Sequence, residues 1–175
     1  MGNAQKKPIY KKWWFWVIAI IVAGAIASNF TGEAEQPETT SNIQVEELSE
    51  QQQATIDSLD DFDVFIENYK QLGDEKTPTW DNYLNGETVT WTGTVMDTGS
   101  SQVFVWGGDD YSGQTWSTLP EDGHKRYNVF VAKFEDGTPD AIKVGDTITI
   151  TGKLESRGDY ELDYNWKIYE SEIKE

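Results

Sequence analysis

The spacing of apolar and polar residues changes twice along this chain. Residues 13–30 (WWFWVIAIIVAGAIASNF) carry no charge, residues 56–72 place apolar side chains at helical spacing, and from Gly86 apolar residues recur at every second position. An uncharged run of this length is close to the roughly 20 residues that a membrane-spanning helix needs. The other two patterns predict an amphipathic helix followed by β-strands.

The region after Gly86 predicts five strands. Together they are rich in threonine and aromatic residues. Five strands in so short a region predict a mainly β fold, a small closed or partly closed barrel. The intervening sequence leaves room for at most a short helix between the third and fourth strands. The predicted strands are residues 89–95, 102–106, 127–134, 147–154 and 160–168.

The predicted amphipathic helix has recognisable ends. Ser58 can cap its N-terminus, Asp60 and Asp61 suit the positive end of the helix dipole, and Gly73 can stop it. An apolar stripe has to pack against something, so we expect this helix to pack against the barrel rather than against a separate protein. There it can cover an exposed end of the barrel.

The uncharged run predicts export of everything that follows it. Four lysines precede it, and the positive-inside rule then keeps the N-terminus in the cytoplasm. Tryptophans at its start fit an interfacial aromatic belt, which favours a retained anchor. The alternative is a signal peptide cleaved after Ala27, since Ala25 and Ala27 have the small-residue pattern of a cleavage site.

Charge divides the chain further. All 31 acidic residues follow the apolar run, whereas four of the 14 basic residues precede it, so the exported part has a formal charge of −21. Residues 31–54 are polar and lack aromatic side chains, which predicts a flexible tether. The predicted organisation is a basic cytoplasmic tail (residues 1–12), an anchor (13–30), the acidic tether (31–54) and a helix plus barrel (55–175).

Two stretches of the barrel region resemble a known fold. The sequences GETVTWTGTV from Gly86 and VGDTITITGKL from Val144 resemble the first and fourth strands of OB-folds, in particular the tRNA-anti-like type. The segment KKPIYKKWWFWVIAIIV from Lys6 is similar to the anchors of small surface proteins of Gram-positive bacteria. This resemblance implies a five-stranded OB-fold-like barrel and a binding surface without a fixed ligand.

Catalytic and metal-binding residues are poorly represented in the sequence. It contains no cysteine and one histidine, His124, which we expect to be a solvated loop residue. We therefore expect no catalytic activity, no cofactor and no metal. The loop containing Asp109 and Asp110 offers oxygen atoms to a weak calcium site, but it lacks the spacing of an EF-hand, so a solvated turn is the preferred interpretation.

Aromatic residues are the better candidates for function. OB-folds bind ligands across the second and third strands and the adjoining loops. If the valines of these strands face the interior, aromatic side chains line the ligand face. The alternative is that they pack beneath the amphipathic helix. The candidate ligand-binding residues are Phe104, Trp106 and Phe130 on the strands and Tyr111 and Trp116 in the loop.

These observations predict a membrane-anchored extracytoplasmic binding module whose ligand is a protein segment or a glycan of the cell envelope. A nucleic-acid-binding OB-fold is one alternative, but the charge of −21 opposes phosphate contacts. A surface exclusion or structural role is another alternative, and the sequence does not separate it from binding.

Overall fold

The computed structural model describes residues 48–119 and 123–174, which form a mainly β fold with a few helices. Within these ranges no helix is both long enough and apolar enough to cross a membrane. The predicted basic tail, the membrane anchor and most of the predicted tether lie outside the described residues.

The helix expected over residues 56–72 is two helices, α1 (Glu50–Asp57) and α2 (Phe62–Lys70). Ser58 ends α1 instead of starting the helix. Ser49 caps α1 in a reciprocal capping box with Gln52, and the Asp61 carboxylate accepts a hydrogen bond from the backbone N–H of Val64 at the start of α2. Apolar residues of the predicted stripe are nevertheless buried on both helices and in the turn between them, including Ile56, Leu59 and Phe62. Helix α1 also includes residues that we had assigned to the tether.

Short helical turns complete the helical region. A 3₁₀ turn at Gly73–Glu75 leads into the one-turn helix α3 (Lys76–Thr79), which continues as a π-helical turn at Trp80–Leu84. Two further 3₁₀ turns, Trp116–Thr118 and Lys125–Asn128, lie in the connection between the second and third strands.

The prediction of a five-stranded barrel is confirmed. The strands close in the order β1-β2-β3-β5-β4, with β1 paired to both β2 and β4. Only β3 and β5 run parallel, while the other four pairs are antiparallel. The strands are β1 (Thr88–Thr98), β2 (Gln102–Trp106), β3 (Val129–Lys133), β4 (Thr147–Ser156) and β5 (Trp166–Ile173).

The last strand, β5, lies further along the chain than the predicted residues 160–168. Alternation over residues 160–168 suggested a strand there, but β5 begins at Trp166. Residues 159–164 form a turn in which the backbones of Asp159 and Tyr164 pair, and Asp163 has a left-handed φ of 53°. That backbone conformation interrupts an extended strand, so Leu162 and Tyr164 stay exposed, each by 59%.

Helix α2 closes one end of the barrel and supplies part of its core. Its Phe62 ring lies 4.8 Å from that of Trp91 on β1, and its Phe65 ring lies 4.9 Å from that of Trp166 on β5. The Trp91 indole N–H donates to the Leu59 carbonyl at 2.8 Å. These contacts confirm the expectation that the helix packs on the barrel. Burying each such side chain contributes about 1.5–3 kcal/mol.

The two ends of the barrel are closed by different elements. Trp91 and Trp166 lie near the starts of β1 and β5, so α2 sits at the end where the odd-numbered strands begin. At the opposite end, the β3–β4 connection buries Phe134 and Ile142 without forming a helix. A helix inserted between β3 and β4 would lie at this second end.

Candidate functional site

Strand β2 has the predicted orientation. Val103 and Val105 face the barrel interior and join the main core. Phe104 and Trp106 point to the other side of the sheet and belong to a second, smaller apolar cluster. Residues alternate across a strand, so one correct assignment sets the direction of all four side chains.

Strand β3 has the opposite orientation to the one predicted. Phe130 and Ala132 face the interior, whereas Val129 and Val131 face outward. The reason is the register, in which Val105 pairs with Phe130 and Phe104 with Val131. Directly paired residues on neighbouring strands point to the same face, so an inward Val105 requires an inward Phe130.

Phe130 is therefore a core residue and does not line an external ligand surface. It is fully buried, and its ring lies 5.1 Å from Phe62 and 5.4 Å from Trp91. The alternative interpretation, in which the aromatic residues pack beneath the helix, is correct for Phe130. The other four candidates lie elsewhere.

The remaining four candidates come together on the outer face of β2 and β3. We call this group, Phe104, Trp106, Tyr111 and Trp116, the outer aromatic cluster. It packs with apolar residues that the sequence did not single out, Met96, Leu119, Val129 and Val131. A β-bulge in β1 shifts the register between Val95 and Asp97, so that Met96 is an extra residue on β1, and its side chain joins the outer cluster.

The loop that follows β2 covers much of this face. Trp106 is fully buried, and its indole N–H donates to the Asp110 carboxylate at 2.9 Å. Trp106 thus lies beneath its own loop and not beneath helix α2, and its ring is closed to direct contact with a ligand in this conformation. Phe104, Tyr111 and Trp116 are only partly buried and form the accessible part of the outer aromatic cluster.

Cationic side chains lie beside the outer aromatic cluster. The Phe104 and Trp116 rings lie 4.8 Å apart at 34°, and the Arg126 guanidinium carbon lies 5.6 Å from the Trp116 ring centre. The Lys125 ammonium lies 5.7 Å from the Trp106 ring centre and 3.7 Å from an Asp110 oxygen. These distances suit cation–π attraction, which the spacing of residues in the sequence did not indicate.

The β4–β5 connection fixes the end of the β2–β3 connection. The Asp163 carboxylate accepts hydrogen bonds from the backbone N–H groups of Arg126 and Tyr127, at 2.8 and 3.3 Å. The His124 ring stacks on Tyr160 with ring centres 4.2 Å apart. His124 is thus a partly buried loop residue with one ring face packed on Tyr160, whereas a solvated side chain was expected. Sequence reasoning missed these contacts because the partners are more than 30 residues apart in the chain.

Several carboxylates lie close together where the loop after β2 meets the start of α2. A cavity of about 230 Å³ lies between the start of α2 and the end of β2. Burial and the neighbouring carboxylates of Asp109, Asp61 and Asp110 raise the pKa of Asp63 to about 6. In residues 48–119 and 123–174 no group of three or more potential ligands has a metal-binding arrangement. The cavity is lined by Asp60, Asp61, Phe62, Asp63, Thr92 and Gly107.

Comparisons of this chain with protein-family models, with curated proteins and with solved structures found no match. Any statement about its function therefore depends on its own residues and their geometry.

Proposed function

We propose that this chain is a membrane-anchored extracytoplasmic binding module without catalytic activity. Its ligand is a protein segment or a glycan of the cell envelope. The uncharged run at residues 13–30, with lysines before it and all acidic residues after it, supports anchoring and export. We further propose that the barrel is an OB-fold, because a five-stranded closed barrel of non-sequential strand order has that architecture.

The observation that carries this proposal is the outer aromatic cluster. This cluster lies on the outer face of β2 and β3 and is separate from the main core in the barrel interior. Phe104, Tyr111 and Trp116 remain partly exposed there, on the face and in the loop that OB-folds use for ligands. Partly exposed aromatic rings offer stacking and apolar contact to a sugar ring or a peptide side chain.

Charge supports an envelope ligand over a nucleic acid. Phosphate contacts supply most non-specific affinity for nucleic acids, and they need several unpaired basic residues on one face. Here Asp110 lies 3.7 Å from Lys125, and the exported part carries a formal charge of −21. A neutral or basic partner meets no such repulsion.

The proposal is tested with the full-length chain in detergent and two matched aromatic variants. Purified cell-wall glycan and an array of envelope-protein peptides serve as the probes. We expect Trp116→Ala to reduce binding to one of these probes at least about tenfold while leaving the unfolding temperature nearly unchanged, since only a partly exposed ring is lost. Phe130→Ala should lower the unfolding temperature instead.

Two results would contradict the proposal. The first is binding of glycan or peptide that Trp116→Ala and Phe104→Ala leave unaltered, which would place the binding surface elsewhere. The second is micromolar binding of a single-stranded oligonucleotide at physiological salt, which would make nucleic acid the ligand and refute the argument from charge.

A further inference from the structure

A second cavity, of about 310 Å³, lies between the helical turns after α2 and the connection between β4 and β5. None of its lining residues belongs to the outer aromatic cluster, so it is a separate feature of the molecule. Its volume is at the small end of the range for small-molecule sites. Its lining includes Tyr69, Asp74, Lys76, Arg157, Gly158 and Asp159.

Two cations and two carboxylates surround this cavity. Lys76 and Asp74 come from the helical turns, and Arg157 and Asp159 come from the β4–β5 connection. In the described part of the chain no ion pair joins any of these four groups to another. An Arg157 Nη atom donates to the Thr77 hydroxyl at 3.2 Å, which holds the guanidinium at the cavity wall. Within the described residues, charges of both signs thus line one cavity without a salt bridge between them, and one Asp159 oxygen also accepts a hydrogen bond from the Leu162 backbone N–H at 3.0 Å.

The buried Tyr69 is a neutral polar residue in the wall of the cavity. The Tyr69 hydroxyl donates to the Lys76 carbonyl at 3.5 Å, and burial raises the pKa of Tyr69, so this hydroxyl keeps its proton at neutral pH. Behind Gly158, the buried Trp166 indole N–H has no hydrogen-bond partner among the described residues. A Cβ atom at residue 158 would lie 2.5 Å from that nitrogen, so the close approach requires glycine.

We propose that this cavity binds a small zwitterion, a free amino acid or a short peptide. Its carboxylate lies toward Arg157 and Lys76, and its ammonium group lies toward Asp74 and Asp159. A ligand with both charges is favoured because it satisfies both pairs of groups, whereas a simple anion or cation leaves one like-charged pair without a partner. This inference does not depend on the aromatic site or on the ligand proposed for it.

The test uses the full-length chain and calorimetric titration with alanine, alanylalanine, N-acetyl-alanylalanine and alanylalaninamide. The last two remove the ammonium and the carboxylate charge, respectively, and keep the peptide skeleton. We expect alanine or alanylalanine to bind, and each blocked derivative to bind at least about tenfold more weakly than the free dipeptide. A preference between alanine and alanylalanine identifies whether the free amino acid or the peptide is the ligand.

Two variants test which side chain binds the carboxylate of the ligand and which binds its ammonium group. Arg157→Gln should remove the preference for the free carboxylate over the amide, and Asp74→Asn should remove the preference for the free ammonium over the acetyl group. Both side chains are exposed, so the fold should persist, and the unfolding temperature provides the check. Lys143→Gln, a change of an exposed cation in the β3–β4 connection, serves as the charge control and should bind as the unmodified chain does.

Equal binding of the free and blocked dipeptides would overturn the proposal, because the paired charges would then have no role. The proposal would also be overturned if both Arg157→Gln and Asp74→Asn still bound the free dipeptide more tightly than its blocked derivatives, to the same degree as the unmodified chain. The absence of binding by all four compounds up to about 10 mM, a concentration that corresponds to a negligible affinity, would overturn it too. None of these results bears on the outer aromatic cluster, which Trp116→Ala tests separately.

Discussion

Phe130 and Trp116 are both large aromatic residues, yet their surroundings give them different roles. Phe130 lies on an inward position of β3 and contacts rings from α2 and β1. Trp116 lies in a 3₁₀ turn on the outside of the barrel and contacts Phe104 and Arg126. The difference follows from strand register and loop position, and it predicts different effects of the same truncation.

We predict that Phe130→Ala destabilises the fold by about 3–5 kcal/mol, the range for truncating a large buried aromatic side chain. Trp116→Ala should cost about 1 kcal/mol or less, because its ring is partly exposed. Chemical unfolding of both variants measures the difference. Similar losses for the two would mean that the outer aromatic cluster is as important for stability as the main core.

Asp63 shows how neighbouring residues set the chemistry of a single side chain. Burial, followed by the charges of Asp109, Asp61 and Asp110, raises its pKa to about 6. A carboxyl group with a raised folded-state pKa binds its proton more tightly in the folded state. Its contribution to stability is therefore fully present below the unfolded-state pKa near 4 and is lost as the pH rises through about 6.

We predict that Asp63→Asn stabilises the fold above about pH 7 and that the gain disappears as the pH falls toward 4. The gain should be at most about 1 kcal/mol, since solvent screens a partly exposed group. Unfolding curves across this pH range measure it, with Asp140→Asn in the β3–β4 connection as the control. A gain that is independent of pH would show that Asp63 destabilises the fold by some means other than its charge.

At the scale of elements, α2 and the barrel depend on each other. The helix leaves an apolar face exposed without the barrel, and the barrel leaves Trp91, Phe130 and Trp166 uncovered without the helix. Two buried hydrogen bonds add to this packing, one from Trp91 to the Leu59 carbonyl and one from the Tyr127 hydroxyl to the Ile66 carbonyl, both at 2.8 Å. The helix is thus part of the domain.

We predict that a fragment beginning at Glu46 unfolds cooperatively, whereas one beginning at Gly86 is strongly destabilised or does not fold. Loss of Phe62, Phe65 and Ile66 alone removes about 1.5–3 kcal/mol each, which is comparable to the whole stability of a small domain. Circular dichroism melting compares the fragments. Equal melting temperatures would show that the helices do not stabilise the barrel.

At the scale of the whole molecule, charge and hydrophobicity divide the chain into two parts. The four lysines before residue 13 and the 31 acidic residues after residue 30 predict an N-terminus in the cytoplasm and a barrel outside the cell. The chain after residue 30 has a formal charge of −21, and a field of that sign favours neutral or basic partners.

We predict that protease added to intact cells releases an acidic fragment containing the barrel, and that replacing Lys6, Lys7, Lys11 and Lys12 with glutamate weakens this orientation. Immunoblotting of cells and medium provides the measurement. Untreated cells show whether cleavage after Ala27 already releases the barrel. Complete protection of the barrel in intact cells would refute export and the binding function that depends on it.

The periodicity of apolar residues predicts most of the secondary structure of this protein, because it reflects local backbone geometry. The period of two located β1, β2 and β4 and predicted a five-stranded barrel, and the helical stripe identified every apolar residue that α1 and α2 bury. The same signal failed at residues 160–168, where polar and apolar residues alternate in a turn. There the left-handed backbone of Asp163 is stabilised by hydrogen bonds from distant residues.

Strand register in the folded protein sets which aromatic residues belong to the core. Alternation gives two faces for a strand but does not say which one points inward, and the pairing of Val105 with Phe130 settles that question for β3. Likewise, the sequence grouped Phe104, Trp106, Tyr111 and Trp116 as candidates, but the fold of the loop buried Trp106 and left the other three accessible. Register and loop closure join residues that are far apart in the chain, and no local pattern records them.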